Sequence, residues 1–181
     1  MPLPLPPLTR LVVAAENAQG RSHFQYDGPP TAVRTIAERP GYRVSNLWTT
    51  VRSPAPVNDP SRVAEIKGLV PQRGGTILRI VDYPPEPKDP VERERMFKAM
   101  WAKLFPDGAH LPENAPHPGM HATDTVDYAI VLAGEIYAVM QNGETLLRAG
   151  DVLIQCGTLH AWSNRSNEYA QIAFILIDGT R

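Results

Sequence analysis

Between His117 and Glu135 the chain reads HPGMHATDTVDYAIVLAGE. Two histidines lie four residues apart, an acidic residue follows, and the stretch then runs on as strand and turn. Imidazole and carboxylate together hold divalent metals. The stretch is therefore half of a metal site or a loop with ordinary surface histidines, and its spacing alone leaves both open. His23 and His110 stand apart from it and read as surface or loop residues. The lone Cys156 would need a paired base and a lowered pKa to act as a nucleophile. The sequence offers neither, so Cys156 reads as a small packing residue.

Short strand-like runs must position these groups. TRLVVAAE, SHFQYDG, TAVRTIAE, YRVSNLWTT and GTILRIVDY come first. DYAIVLAG, EIYAVMQNG, ETLLRAG, DVLIQCG, HAWSN and EYAQIAFILID follow. They are rich in Val, Ile, Tyr and Thr and are bounded by Gly, Asn, Asp or Pro, which indicates an all-β sandwich or barrel. Asn142-Gly143 predicts a tight hairpin turn. Prolines at MPLPLPPL, RSPAPVNDP and VDYPPEPKDP mark connectors. One segment, DPVERERMFKAMWAKLFPDG, breaks the pattern. Asp89 suits an N-cap and Pro90 the first helical position, with Glu92 three residues after the cap. Met96, Phe97, Met100, Trp101 and Leu104 form one apolar stripe, so a helix is predicted from Pro90 to Phe105, packed on the barrel or serving as a lid or dimer contact. A shorter helix is expected in DPSRVAEIKG.

Composition limits the partners. The chain has 181 residues, a net charge of -1 and 20% charged residues. No basic block marks a nucleic-acid surface or an anionic-membrane contact. A single cysteine excludes an internal disulfide framework. The N-terminus lacks the positive and apolar regions of a signal peptide, and no run reaches the length of a membrane span. The expectation is a cytoplasmic protein with no nucleic-acid or membrane partner.

The order of VLAGE, a hairpin, and LLRAGDVLIQCGTLHAWSN resembles the two motifs of the cupin superfamily, over about His117 to Asn164. Aligned on Gly134, the first motif places His121 at its first histidine, Thr123 at its second and Asp127 at its glutamate. In the second motif Gly150 stands one residue nearer than the pattern, Gln155 replaces a proline, and Gly157, His160 and Asn164 match. The first motif also has the H-x-T-x-T-x-D-Y form of a group of small single-domain cupins, from His121 to Tyr128. The resemblance implies an all-β double-stranded β-helix, or jelly-roll barrel, with an N-terminal strand extension and one external α-helix. It implies a single structural domain: an extension over 1–74 whose strands join the barrel, and a barrel core over 75–181 that includes the helix over 90–105. It further implies one divalent metal ion (Fe, Zn, Mn or Ni) on His121, Asp127 and His160, with His117 a candidate to replace the lost imidazole.

Alternation along the strands nominates the pocket lining. Trp162 shares a face with His160, and Ala129 and Val131 share one with Asp127. Thr123, Tyr137 and Arg79 are further candidates for a small-molecule substrate. Arg79 would clamp a carboxylate or point outward with its stem along the sheet, while Tyr137 would offer a hydroxyl or simply pack. Exposed strand edges lead to the expectation of a homodimer. Three functions fit: a metal-dependent enzyme acting on an organic acid or aromatic, as a dioxygenase, lyase, decarboxylase or isomerase; a metal-free binding or sensing protein; and a structural subunit. The sequence names no substrate.

Overall fold

A computed structural model of the protein describes residues 3–66, 68–104 and 115–181, with Leu104 in its backbone only. His110, Phe105 and the predicted stop at Pro106 and Gly108 lie outside the described residues. Among the described residues, eleven strands and one α-helix follow in the order β1 (Leu11–Glu16), β2 (Ser22–Gly28), β3 (Ala32–Thr35), β4 (Arg43–Thr50), β5 (Thr76–Tyr83), α1 (Pro90–Leu104), β6 (Thr125–Ala133), β7 (Glu135–Met140), β8 (Gly143–Arg148), β9 (Val152–Cys156), β10 (His160–Ser163) and β11 (Ala170–Asp178). A six-stranded antiparallel sheet runs β3-β4-β5-β11-β6-β9, a three-stranded sheet runs β10-β7-β8, and β1 and β2 form a separate hairpin. This is the jelly-roll barrel that the motif resemblance implies.

The two larger sheets enclose the core. Ile77, Val81, Ala129, Val131 and Ile172 from the large sheet meet Ile136, Ala138, Leu147 and Trp162 from the small one. Burial of one such large apolar side chain stabilises by roughly 1.5–3 kcal/mol. The period-two reading holds along β6, where Thr125, Asp127, Ala129 and Val131 are buried while Tyr128 and Leu132 are exposed. A smaller cluster of Leu47, Ile80 and Ala173 lies on a second apolar face, where Leu11 of β1 packs against it. Cys156 corrects its expectation. It falls on the outward phase of β9 and is exposed, while its neighbour Gln155 is the buried one.

Two other local expectations shift. The β7–β8 turn is Gln141-Asn142, because Met140 pairs with Gly143 across the ladder. Gly143 opens β8 at φ 122°, a backbone state that favours glycine. The short helix expected near Asp59 is only a 3-10 turn over Val63–Glu65 with no side-chain cap. The few residues between Pro60 and Gly68 cannot repay the cost of nucleating an α-helix.

Helix α1 begins where its N-cap predicts. Asp89 Oδ1 accepts the Val91 N–H at 2.8 Å, and the Asp89 carbonyl accepts the Arg93 N–H at 3.0 Å. Its apolar stripe buries Phe97, Met100 and Trp101 in the main core, with Met96 partly buried. The helix lies outside the strands, but its inward face closes the end of the barrel that holds the site.

Candidate functional site

His121 and His160 are brought together by the backbone. The His121 N–H donates to the His160 carbonyl at 2.8 Å and the His160 N–H donates back to the His121 carbonyl at 2.9 Å. Such a hydrogen-bonded antiparallel pair projects both side chains to one face. Their ring centroids are 4.3 Å apart. Each ring has its Nδ1 against a nearby carbonyl, Gly119 at 3.0 Å for His121 and Thr158 at 2.9 Å for His160. A carbonyl only accepts, so Nδ1 carries the proton and Nε2 keeps a lone pair in the neutral ring. Burial enforces the neutral form. It lowers His121 to about 3, with the neighbouring His160 adding to the effect, and lowers His160 to about 4.

Asp127 and Thr123 line the same cavity. The Asp127 carboxyl is pushed above its usual range by burial, offset by a hydrogen bond from Thr125 and the charge of Arg79. Its Oδ1 is buried and accepts no hydrogen bond. The Thr123 hydroxyl lies 2.7 Å from that of Thr125, and Thr125 and Asp127 share the buried face of β6. Trp162 lines the cavity too, with its ring edge-on to Phe174 at 5.3 Å and to His160 at 5.9 Å. Trp101 of α1 covers His121, with 4.7 Å between centroids. The cavity has a volume of about 50 Å³, which at roughly 10–15 Å³ per water holds only a compact occupant.

Arg79 resolves inward. It is 2% exposed, lines the cavity, and is lowered to about 10 mainly by burial, which Tyr42, Tyr83 and Asp127 partly offset. Tyr137 does not reach the cavity. On β7 the inward positions are Ile136 and Ala138, so Tyr137 falls on the opposite phase, where the Arg165 guanidinium stacks 4.3 Å from its ring. His117 does not replace the lost imidazole. A turn closed by the Met120 N–H on the His117 carbonyl at 3.1 Å separates it from His121. Its Nδ1 accepts the Gly119 N–H at 3.0 Å, and its Nε2 therefore donates to Glu86 Oε2 at 3.1 Å. Both nitrogens are committed to other partners. Asn164, the last residue of the second motif, is structural: its Nδ2 donates to the carbonyls of Tyr83 and Glu168, both at 2.8 Å.

Reasoning from sequence missed Arg39 and Glu86. Arg39 is 2% exposed and lines the cavity, with its guanidinium 4.9 Å from the ring centroids of Tyr42 and Phe97 and 5.8 Å from that of Tyr83. Glu86 lies behind it, 4.0 Å from Arg39 Nη2, and accepts the Ser163 hydroxyl at 2.9 Å. In the sequence both residues sit in proline-flanked connectors, where a charged residue ordinarily faces water.

The donor chemistry fits a divalent cation in part. Two neutral imidazoles and one unsatisfied carboxylate oxygen share a cavity, yet among the described residues no group of three His, Cys, Asp or Glu side chains is arranged to hold a metal ion.

No family model matches the chain. It is 27% identical over 175 residues to the phomopsin biosynthesis cluster protein C' of Diaporthe leptostromiformis, covering 92% of this chain and 76% of that one. It is 24% identical over 168 residues to the cupin-domain-containing oxidoreductase srdD of Neurospora crassa, covering 89% and 70%. Among solved structures it is similar to a cupin 2 conserved barrel domain protein from Salinispora arenicola, at 12% identity and a TM-score of 0.40, covering 80% of this chain and 82% of that one. Among the described residues no helix is long and apolar enough to cross a membrane.

Proposed function

We propose that this chain, a cupin by its barrel, its motifs and its cupin-domain relatives, is an enzyme that transforms a small organic molecule in the barrel cavity, with a divalent metal held by His121, His160 and Asp127. The observation that carries the reading is the imidazole pair, two adjacent rings whose Nδ1 protons are tied to carbonyls so that both Nε2 lone pairs are free for a cation. This is how metal-binding histidines are oriented by their outer hydrogen bonds. Relatives described as cupin-domain-containing oxidoreductases, from Neurospora crassa and Aspergillus ruber, support an enzyme over a storage protein.

A bound divalent ion would supply Lewis-acid or redox chemistry beside the substrate. The chain's own residues do the rest. Trp101 and Trp162 exclude water from the imidazole pair, Thr123 and Thr125 place hydroxyls on the wall beside Asp127, and Asp127, raised by burial, is suited to hold a proton when it is not engaged by a cation. The same reading keeps the expected homodimer, which sedimentation velocity checks directly.

A second reading, a metal-free cupin that binds a small molecule without catalysis, draws on the lack of a three-donor group among the described residues. Metal analysis of the purified protein and its variants separates the two. The enzyme reading expects about one metal per chain, lost in His160→Ala and in Asp127→Ala. Retention by Asp127→Ala removes Asp127 from the ligand set, and a metal-free wild type favours binding alone.

A further inference from the structure

We propose that the substrate is a small organic carboxylate and that Arg39 binds its carboxyl group. The inference rests on the cavity being the working site, as proposed above. Arg39 is 2% exposed and lines the cavity, yet its Nε and Nη2 donate no hydrogen bond. Its Nη1 reaches only the Met100 sulfur, at 3.6 Å. The acid paired with it is Glu86, whose Oε1 is buried and itself without a hydrogen-bond partner; at 4.0 Å from Nη2 it balances charge but lies beyond hydrogen-bond range, so Nε and Nη2 stay unfilled. A buried guanidinium that keeps unused N–H donors is costly unless something completes it. Burial accordingly holds Arg39 below its ordinary pKa.

The chemistry of the occupant follows from what surrounds those donors. A guanidinium fork matches a planar carboxylate with two parallel hydrogen bonds. The rings of Tyr42, Tyr83 and Phe97 that flank the fork favour a flat or apolar body attached to that carboxylate. Arg79, buried in the same wall, adds a second positive charge. The imidazole pair lies on the same lining, so a small acid seated on Arg39 presents the rest of its frame to His121 and His160. A single negative charge suits this largely apolar wall better than the double charge of a phosphate.

The test pairs acids with their neutral amides: benzoate with benzamide, phenylacetate with phenylacetamide, and propionate with propionamide, with inorganic phosphate as a control. Quenching of tryptophan fluorescence reports occupancy, because Trp101 and Trp162 line the cavity. The full chain is titrated both as purified and after dialysis against a chelator. At least one acid should bind ten-fold or more tightly than its amide in both forms. Arg39→Gln should abolish that preference and Arg39→Lys should restore part of it. Equal affinity for acid and amide overturns the proposal, as does failure of every acid to bind, or tighter binding of phosphate than of any acid. An acid preference that vanishes with the metal and survives Arg39→Gln also overturns it, since the ion would then be the anion site and the metal reading would stand. If Arg39→Gln does not fold, as judged by circular dichroism, Arg39→Lys decides instead: a weakened acid preference supports the assignment to Arg39 and an undiminished one overturns it.

Discussion

At His121 and His160, protonation and stability are linked. An unfolded imidazole takes up a proton near 6.5, whereas the folded rings resist until about 3 and about 4. In that window the unfolded state binds more protons, so stability falls as pH falls from about 6.5 toward 4, by about 1.4 kcal/mol per pH unit per histidine. The metal-stripped protein should lose Tm through this window, and His160→Gln should show a shallower slope. Identical slopes would mean that the ring is not held neutral by the fold. The motif positions of His121, Thr123, Asp127 and His160 all resolved onto one cavity, because a strand's alternation fixes which side chains share a face. His117 was illegible because the turn at Pro118 and Gly119 breaks that alternation. Thr123→His, which returns an imidazole to the motif position, should keep or tighten metal binding while lowering turnover, as read by metal content and by activity on any acid found to react. Full activity in that variant would mean that the open position is not used.

Helix α1 is the element on which the cavity depends. Its cap, its proline and its apolar stripe were all legible, since they follow from local rules of helix ends and the 3.6-residue repeat. Its destination was not, because a stripe shows that a face is buried and leaves open what covers it. The structure seats Trp101 over His121. Trp101→Ala should therefore lower stability by about 3–5 kcal/mol, as other large-to-small core changes do, and should also admit water to the imidazole pair. A thermal melt unchanged from wild type would contradict the packing described. Asp89→Ala should cost about 1 kcal/mol through loss of the cap alone, without altering ligand binding. The 3-10 turn at Val63 shows the limit of the same rules, because a plausible Asp-Pro start cannot make a helix where too few residues follow it.

Across the whole molecule, the parts that sequence left dark are those built by long-range contact. Arg39 and Glu86 come from separate connectors and meet only because the barrel folds. Asp82 of β5 likewise takes Arg43 of β4 at 2.6 Å and Gln171 of β11 at 2.8 Å, and Arg43 also donates to the Pro6 carbonyl at 2.7 Å. That network ties the N-terminal segment to the sheet. Arg43→Ala should destabilise the chain by about 3–5 kcal/mol, since it leaves a buried carboxylate without its countercharge, and denaturant unfolding measures the loss. The strands, by contrast, were legible nearly throughout, because each carries its own alternation and turn residues. The proposed activity depends on whether the imidazole pair takes a cation. Titration of the metal-stripped protein with cobalt(II), followed by its visible absorption, tests this most directly. The signal should saturate at about one cobalt per chain and be abolished in His121→Ala and in His160→Ala. No saturable signal in the wild type, or an undiminished signal in both variants, would contradict it.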